Sequence, residues 1–90
     1  MFSGLFKKNK DPGTEVVLRQ EESAIWLDAT KNIRCRVKMY DLAGNKVLDF
    51  SVNTNTGIGI KYLPASLYEV RVVTGDGFRL KKQIAVGIGQ

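Results

Sequence analysis

The sequence predicts an all-β fold, a small antiparallel β-sandwich of about seven strands, with a small barrel as the alternative. Three observations lead to this prediction. Apolar and polar residues alternate over short segments, turn signals recur at intervals of about 8–12 residues, and no segment keeps the apolar period of a helix. Ninety residues are enough for one domain of this kind and leave little room for an enclosed active-site pocket.

The first 13 residues are predicted to form an amphipathic basic arm, and residues 14–90 the sandwich domain. Residues 11–13, Asp-Pro-Gly, give a turn signal at the boundary. One interpretation of the arm is a flexible, solvated terminus. The other is an anchor whose apolar side chains insert into a partner or a membrane surface, with lysines at the rim. The candidate anchoring residues are Phe2, Leu5, Phe6, Lys7, Lys8 and Lys10.

Three strands are predicted in the first half of the domain. Residues 15–19 are apolar and β-branched, the polar residues 20–23 interrupt them, and residues 24–28 form a second strand. After a turn at residues 29–32, alternation over residues 33–40 places one set of side chains inward and the other outward. The inward set is Ile33, Cys35, Val37 and Met39, and the outward set is Arg34, Arg36, Lys38 and Tyr40.

Two strands are predicted in the middle of the domain. Residues 46–52 follow a turn that contains Gly-Asn, a pair that tolerates positive φ. Residues 58–62 alternate again and end at a corner that Pro64 fixes, because proline cannot continue a central ladder. The side chains expected on one face of the first of these strands are Leu48, Phe50 and Val52.

The last two strands form a predicted hairpin. Residues 67–73 alternate strongly, and residues 74–77, Thr-Gly-Asp-Gly, supply the tight turn. Residues 78–86 continue the inward apolar pattern, which Lys82 interrupts near the edge of the sheet.

Three segments of the domain resemble the type A C-terminal sorting domain of the type IX secretion system of Bacteroidetes. They are residues 40–47 (Tyr-Asp-Leu-Ala-Gly-Asn-Lys-Val), 63–72 (Leu-Pro-Ala-Ser-Leu-Tyr-Glu-Val-Arg-Val) and 81–86 (Lys-Lys-Gln-Ile-Ala-Val). The resemblance covers about residues 33–86 and implies an immunoglobulin-like sandwich. It also implies recognition by outer-membrane secretion machinery and an extracellular or outer-membrane location, if the chain is an excised sorting domain.

The residue types argue against catalysis. The chain has no histidine and one cysteine, Cys35, so histidine-based chemistry, a Cys-type zinc site and an internal disulfide are excluded. Cys35 is interpreted as a buried, inert thiol, and Gly57-Ile58-Gly59 as a strand position that allows close backbone approach. Asp41, Asp49 and Asp76 match no calcium-loop spacing and are interpreted as solvated turn residues. We therefore expect no enzyme activity, cofactor, metal or small-molecule substrate.

Basic residues are the remaining functional signal, and the net charge is +5. They are expected on an outer strand face and on the final strand or its edge. One interpretation is a solvated face with edge lysines that block strand addition. The other is phosphate binding, with Tyr40 as the only aromatic residue beside the first set. The candidate basic surface comprises Arg34, Arg36, Lys38, Arg79 and Lys81, with Lys82 nearby.

Three functions remain open from the sequence. The first is a non-enzymatic structural subunit of a larger homo- or hetero-oligomeric assembly, such as a bacteriophage virion, in which a capsid, vertex or decoration protein is anchored by its arm. The alternatives are a type IX sorting domain and a nucleic-acid-binding module. Partners are expected to be proteins, with membrane-surface or nucleic-acid contact through the basic arm. A signal peptide and an apolar run of about 20 residues are both missing, which predicts the virion or the host cytoplasm.

Overall fold

The computed structural model describes residues 13–21 and 23–87, and within them the chain forms seven β-strands and no helix. The all-β prediction is therefore confirmed. The strands are β1 (Val17–Glu21), β2 (Ala24–Asp28), β3 (Arg34–Tyr40), β4 (Lys46–Asn53), β5 (Gly57–Gly59), β6 (Ser66–Thr74) and β7 (Arg79–Val86).

The strands form two packed antiparallel sheets. The three-stranded sheet has the order β1-β2-β5, and the four-stranded sheet has the order β4-β3-β6-β7. Immunoglobulin domains place their first, second and fifth strands in one sheet and their third, sixth and seventh in the other. This chain divides those six strands in the same way, but its β4 lies on the edge beside β3, whereas the fourth strand of a seven-stranded immunoglobulin domain joins the first sheet. The arrangement is therefore that of an immunoglobulin-like sandwich with one edge strand in the other sheet.

The core is built from alternate residues of both sheets. Val37 and Met39 on β3, Val70 on β6, and Ile25 and Leu27 on β2 are all completely buried. Burying a side chain of this size stabilises a fold by about 1.5–3 kcal/mol. The strict period of two in β3 and β6 therefore fixes which face of the four-stranded sheet is left for binding.

The corner before β6 is held by a tyrosine. The Tyr68 hydroxyl donates a hydrogen bond to the carbonyl oxygen of Pro64, four residues earlier, at 2.7 Å. Immunoglobulin-like sandwiches often carry such a tyrosine corner at this place. The predicted turn at Pro64 is confirmed, and the hydrogen bond gives a structural reason for the Leu-Pro to Tyr spacing in residues 63–68.

Two strands differ from their predicted bounds by two residues or more, and β1 begins at Val17 rather than at residue 15. β1 runs to Glu21 rather than ending at residue 19, because Glu21 pairs directly with Ala24 of β2. β5 ends at Gly59 rather than at residue 62, because the N–H of Leu63 bonds to the carbonyl of Ile60 and closes a turn. Tyr62 lies in that turn and is 65% exposed.

The aspartates have structural roles that the sequence interpretation missed. Asp41 accepts hydrogen bonds from the N–H groups of Ala43 and Asn45 and so shapes the β3–β4 turn. Asp49 is wrongly interpreted as a turn residue, since it lies within β4 and forms ion pairs. The interpretation of all three as simply solvated is therefore corrected.

Asp76, in the β6–β7 turn, binds the start of the domain. Its carboxylate accepts the Thr74 hydroxyl at 2.6 Å, and the hydroxyl and N–H of Thr14 at 2.7 and 2.9 Å. These hydrogen bonds, that of Thr74 first, lower the pKa of Asp76 to about 2. Gly13 permits the contact, because a Cβ there would lie 2.5 Å from the backbone nitrogen of Phe78.

Candidate functional site

The candidate basic residues meet on the outer face of the four-stranded sheet. Lys38 on β3 is paired in register with Arg71 on β6, and Arg71 is paired in turn with Lys81 on β7. The neighbouring row is formed by Arg36, Val73 and Arg79. We call the surface formed by Arg36, Lys38, Arg71, Arg79 and Lys81 the cationic face.

The cationic face joins two sets of residues that are far apart in the sequence. Of the predicted basic residues, Arg34 lies at its margin, where β3 begins and pairs with Asn53. Arg71 is not among the candidate basic residues predicted from the sequence, although its place in the outward set of β6 was a usable signal. Its position between the two predicted sets makes the face continuous across three strands.

Like charges are direct neighbours within this face. Adjacent strands lie about 4.8 Å apart, so the backbone positions of the three cationic residues Lys38, Arg71 and Lys81 fall within about 10 Å. Like charges directly opposite each other destabilise a sheet. The row therefore costs the sheet stability unless anionic groups lie close to it, and one carboxylate, that of Asp49, is on the residue directly opposite Lys38 on β4.

Two carboxylates compensate part of the charge. Asp49 accepts bonds from Arg36 at 2.8 and 2.9 Å and from Lys46 at 2.8 Å, and these contacts hold the pKa of Asp49 well below its usual range. Glu69 pairs with Arg71. Within the described residues, no carboxylate forms an ion pair with Lys38, Arg79 or Lys81.

An aromatic ring and an aliphatic side chain lie among these cations. The Arg71 guanidinium sits 4.6 Å from the centre of the Tyr40 ring, within cation–π range. Val73 is 41% exposed between Arg36 and Arg79. Together they line a shallow depression of about 400 Å³ whose walls are Arg36, Lys38, Tyr40, Arg71, Val73 and Arg79. The cationic side chains of this depression could thus bind an anionic group, and Val73 could contact an apolar one.

Lys82 does not belong to the cationic face. Its ammonium group turns toward the other sheet and donates to the carbonyl of Leu18 at 3.4 Å. Beside it, the Gln20 amide donates to the carbonyl of Ala85 at 2.5 Å. These bonds link β1 to β7 and close that side of the sandwich. The candidate anchoring residues of the arm lie outside the described residues.

The outer face of the three-stranded sheet has a different character. Arg19 pairs with Asp28 and Glu21 and lies 5.4 Å from the Trp26 ring centre. The Trp26 indole covers Gly57, where a Cβ would lie 2.8 Å from the ring. The predicted close approach is thus found at Gly57, but to a side chain and not to backbone, and Gly59 has no neighbour within 4 Å. Cys35 is 3% exposed and its pKa is raised by burial, which confirms the predicted buried thiol.

The remaining chemistry of the described part is sparse. Across residues 13–21 and 23–87, no group of three metal-binding side chains comes together, and no helix has the length and apolar character to cross a membrane. The absence of catalytic activity stays a prediction.

Comparison with known proteins gave no relative. The chain matched no known protein family, no curated protein and no solved structure. The resemblance of residues 33–86 to type IX sorting domains therefore stays a prediction.

Proposed function

We propose that this domain is a non-enzymatic interaction module, a small subunit of a larger assembly, which docks on an anionic partner through its cationic face. The single observation that carries the proposal is the row of Lys38, Arg71 and Lys81 in direct register. Like charges in register cost a sheet stability; Asp49 and Glu69 offset part of that cost here, and an anionic partner would offset more of it.

A protein partner fits the shape of the surface better than a base-stacking one. The face is broad and shallow, and its only aromatic ring, that of Tyr40, is already in contact with the guanidinium of Arg71. Val73, 41% exposed at the centre, offers the apolar contact that protein interfaces place inside a polar rim. An acidic protein surface is therefore the partner we favour.

A bacteriophage particle is the assembly we propose. A small sandwich preceded by a basic, amphipathic arm suits a capsid, vertex or decoration subunit. In a phage that encodes this chain, deletion of residues 1–12 is expected to leave the domain folded and to remove it from purified particles. Normal incorporation of the shortened chain would contradict anchoring by the arm.

The docking face is tested directly with poly-L-glutamate as an acidic polypeptide. We expect binding that weakens steeply with salt, because surface charges are screened within about 10 Å at 0.1 M ionic strength. Lys38→Glu and Lys81→Glu should each weaken binding about tenfold, since each converts an attraction into a repulsion. Isothermal titration calorimetry or fluorescence anisotropy gives the affinities.

Lys61→Glu is the matched control. Lys61 is an exposed lysine in the turn between β5 and β6, outside the cationic face, and the substitution changes the net charge equally. Binding should be nearly unchanged in this variant. Equal losses at all three positions would show that net charge alone matters, and absence of binding at low salt would remove the proposal.

Nucleic acid is the second candidate partner. It is favoured by the cationic rows, which could follow a phosphate backbone, and by Tyr40 at their edge. Duplex DNA and oligo(dT) are the probes. Tighter binding to DNA than to poly-L-glutamate, with a salt slope reduced by about 1 for each lysine removed, would favour this candidate over the first.

A further inference from the structure

The four edges of the two sheets are unequally protected against strand addition. β5 has only three residues, two of them glycine, which makes a poor template. β7 carries Lys81 outward and Lys82 inward, and inward-pointing charge is a known device against edge pairing. β1 is linked to β7 by the Gln20 side chain.

The edge formed by β4 is the exception. It has eight residues and no proline, and Phe50 at its middle is 46% exposed. Phe50 is paired with the fully buried Val37, so it belongs to the core-facing row of the sheet. Because β1 lies beside β7, the strand of the opposite sheet on the β4 side is β5, and its three residues offer little cover for Phe50. The charge of Asp49 is already satisfied by Arg36 and Lys46.

The β4 edge is complementary to itself in one register. In an antiparallel pair, residues directly opposite each other lie on the same face of the sheet. A twofold axis at Phe50 sets this residue against its own copy, so that two half-exposed rings cover each other. The same axis places Leu48 opposite Val52, which keeps apolar side chains together on the core side. It also places Asp49 opposite Ser51, a carboxylate facing a hydroxyl donor.

We propose that β4 is a homodimer edge, which pairs antiparallel with β4 of a second copy about a twofold axis at Phe50. The pairing joins the two four-stranded sheets into one of eight strands. A twofold axis perpendicular to the sheet leaves both cationic faces on the same side. This proposal depends only on the β4 edge. It is independent of whether the cationic face binds the partner proposed above.

Association of the full chain is tested by analytical ultracentrifugation over a range of concentrations. We expect a reversible species of twice the chain mass. Phe50→Lys should raise the dimer dissociation constant about 30-fold or more, the loss expected for a residue at the centre of an interface. Circular dichroism establishes that the variant is folded. Val17→Lys is the control, because Val17 is a 57% exposed apolar residue on the edge strand β1.

Cysteine pairs test the register while keeping Phe50 in place. Chains carrying Asp49→Cys and Ser51→Cys should form a disulfide with each other when mixed and oxidised, because residues directly opposite have Cβ atoms about 4.5–5.5 Å apart. Each chain alone should give little, since its own copy lies diagonally at about 7–8 Å. The unmodified chain measures any background from the buried Cys35.

Three results would overturn the proposal. A chain that stays monomeric at millimolar concentration would contradict the dimer, and the β4 edge would then be free to pair with a strand of another protein. A dimer that persists unchanged in Phe50→Lys uses a different surface. Mixed cysteine chains that do not cross-link more than each chain alone exclude the register centred on Phe50.

Discussion

The outer faces of the two sheets both carry arginines, carboxylates and an aromatic ring, but they differ in how many of their cations are paired. On the three-stranded sheet, one arginine, Arg19, has two carboxylate partners and lies near the Trp26 ring, which covers Gly57. On the four-stranded sheet, five cations stand in two rows with two carboxylates among them. These are Arg36, Lys38, Arg71, Arg79 and Lys81, beside Asp49 and Glu69.

This difference separates structure from function. A face whose charged groups are paired with each other has its charges satisfied within the fold, although the buried indole N–H of Trp26 on this face has no hydrogen-bond partner. A face that keeps like charges in direct register violates a local rule of sheet stability, and such violations are expected where a partner completes the interaction. Substitutions should therefore lower stability on the first face and chiefly change binding on the second.

The largest effect is expected from Gly57→Val on the three-stranded sheet. The new Cβ would meet the Trp26 ring at 2.8 Å, so the indole must leave its place or the strand must shift. Overpacking of this kind typically costs about 1–3 kcal/mol, and we expect the upper part of that range. Urea unfolding monitored by tryptophan fluorescence measures both the stability and the environment of the ring.

Gly59→Val is the matched control for this prediction. It is the same substitution two residues along the same strand, where a Cβ would have no neighbour within 4 Å. Valine favours strands, so the variant should be as stable as the natural chain or slightly more stable. Equal destabilisation by both substitutions would show that the glycines serve the backbone of β5 rather than the Trp26 contact.

Much of the cationic face could be derived from the sequence, because alternation along β3 assigns Arg36 and Lys38 to the outer side. The sequence does not show which residues of the neighbouring strands lie beside them. Whether Lys38 stands beside Arg71 depends on the pairing of β3 with β6, which joins residues 33 positions apart by a register that no local pattern fixes. Alternation along β6 makes Arg71 an outward residue and says nothing about its neighbours on β3 and β7.

The exposure of Phe50 is a second feature that the sequence pattern does not predict. Alternation correctly assigns it to the core-facing row of β4, opposite the buried Val37. Its exposure depends on how far the opposite sheet extends over it, and alternation within β4 carries no information about that sheet, in which β5 has only three residues. The alternation of Ile58, Ile60 and Tyr62 predicted a longer strand, because a buried turn residue and a buried strand residue look alike in the sequence.

An intermediate effect is expected from Asp49→Asn, with opposite signs for stability and binding. Arg36 and then Lys46 lower the pKa of Asp49 from its usual 3.8, so their stabilising contribution is complete above about pH 4. It is lost as the pH falls through the lower, folded-state pKa. The variant should thus be less stable than the natural chain at pH 7, with the difference shrinking on acidification below pH 4.

The same substitution should strengthen binding to a polyanion. It releases Arg36 and Lys46 from their shared carboxylate and adds one net positive charge to the face. Asp28→Asn on the other face is the control. A hydrogen bond from Arg19 lowers the pKa of Asp28 as well, but this carboxylate lies on the opposite side of the sandwich. A gain in binding from both variants would contradict a localised docking face.

The smallest effect is expected from Lys38→Gln. The sign of its effect on stability tests the difference between the two faces. Glutamine keeps most of the side chain and removes the repulsion from Arg71, whereas Asp49, directly opposite on β4, keeps its ion pairs with Arg36 and Lys46. Stability should therefore rise by a few tenths of a kcal/mol, the lower part of the range for cross-strand pairs. On the three-stranded sheet, Arg19→Gln removes a paired cation and should lower the unfolding midpoint in urea. Binding to poly-L-glutamate should weaken only in the first variant. If Lys38→Gln also lowers the midpoint, the cations of this face stabilise the fold, and their direct register gives no reason to infer an anionic partner.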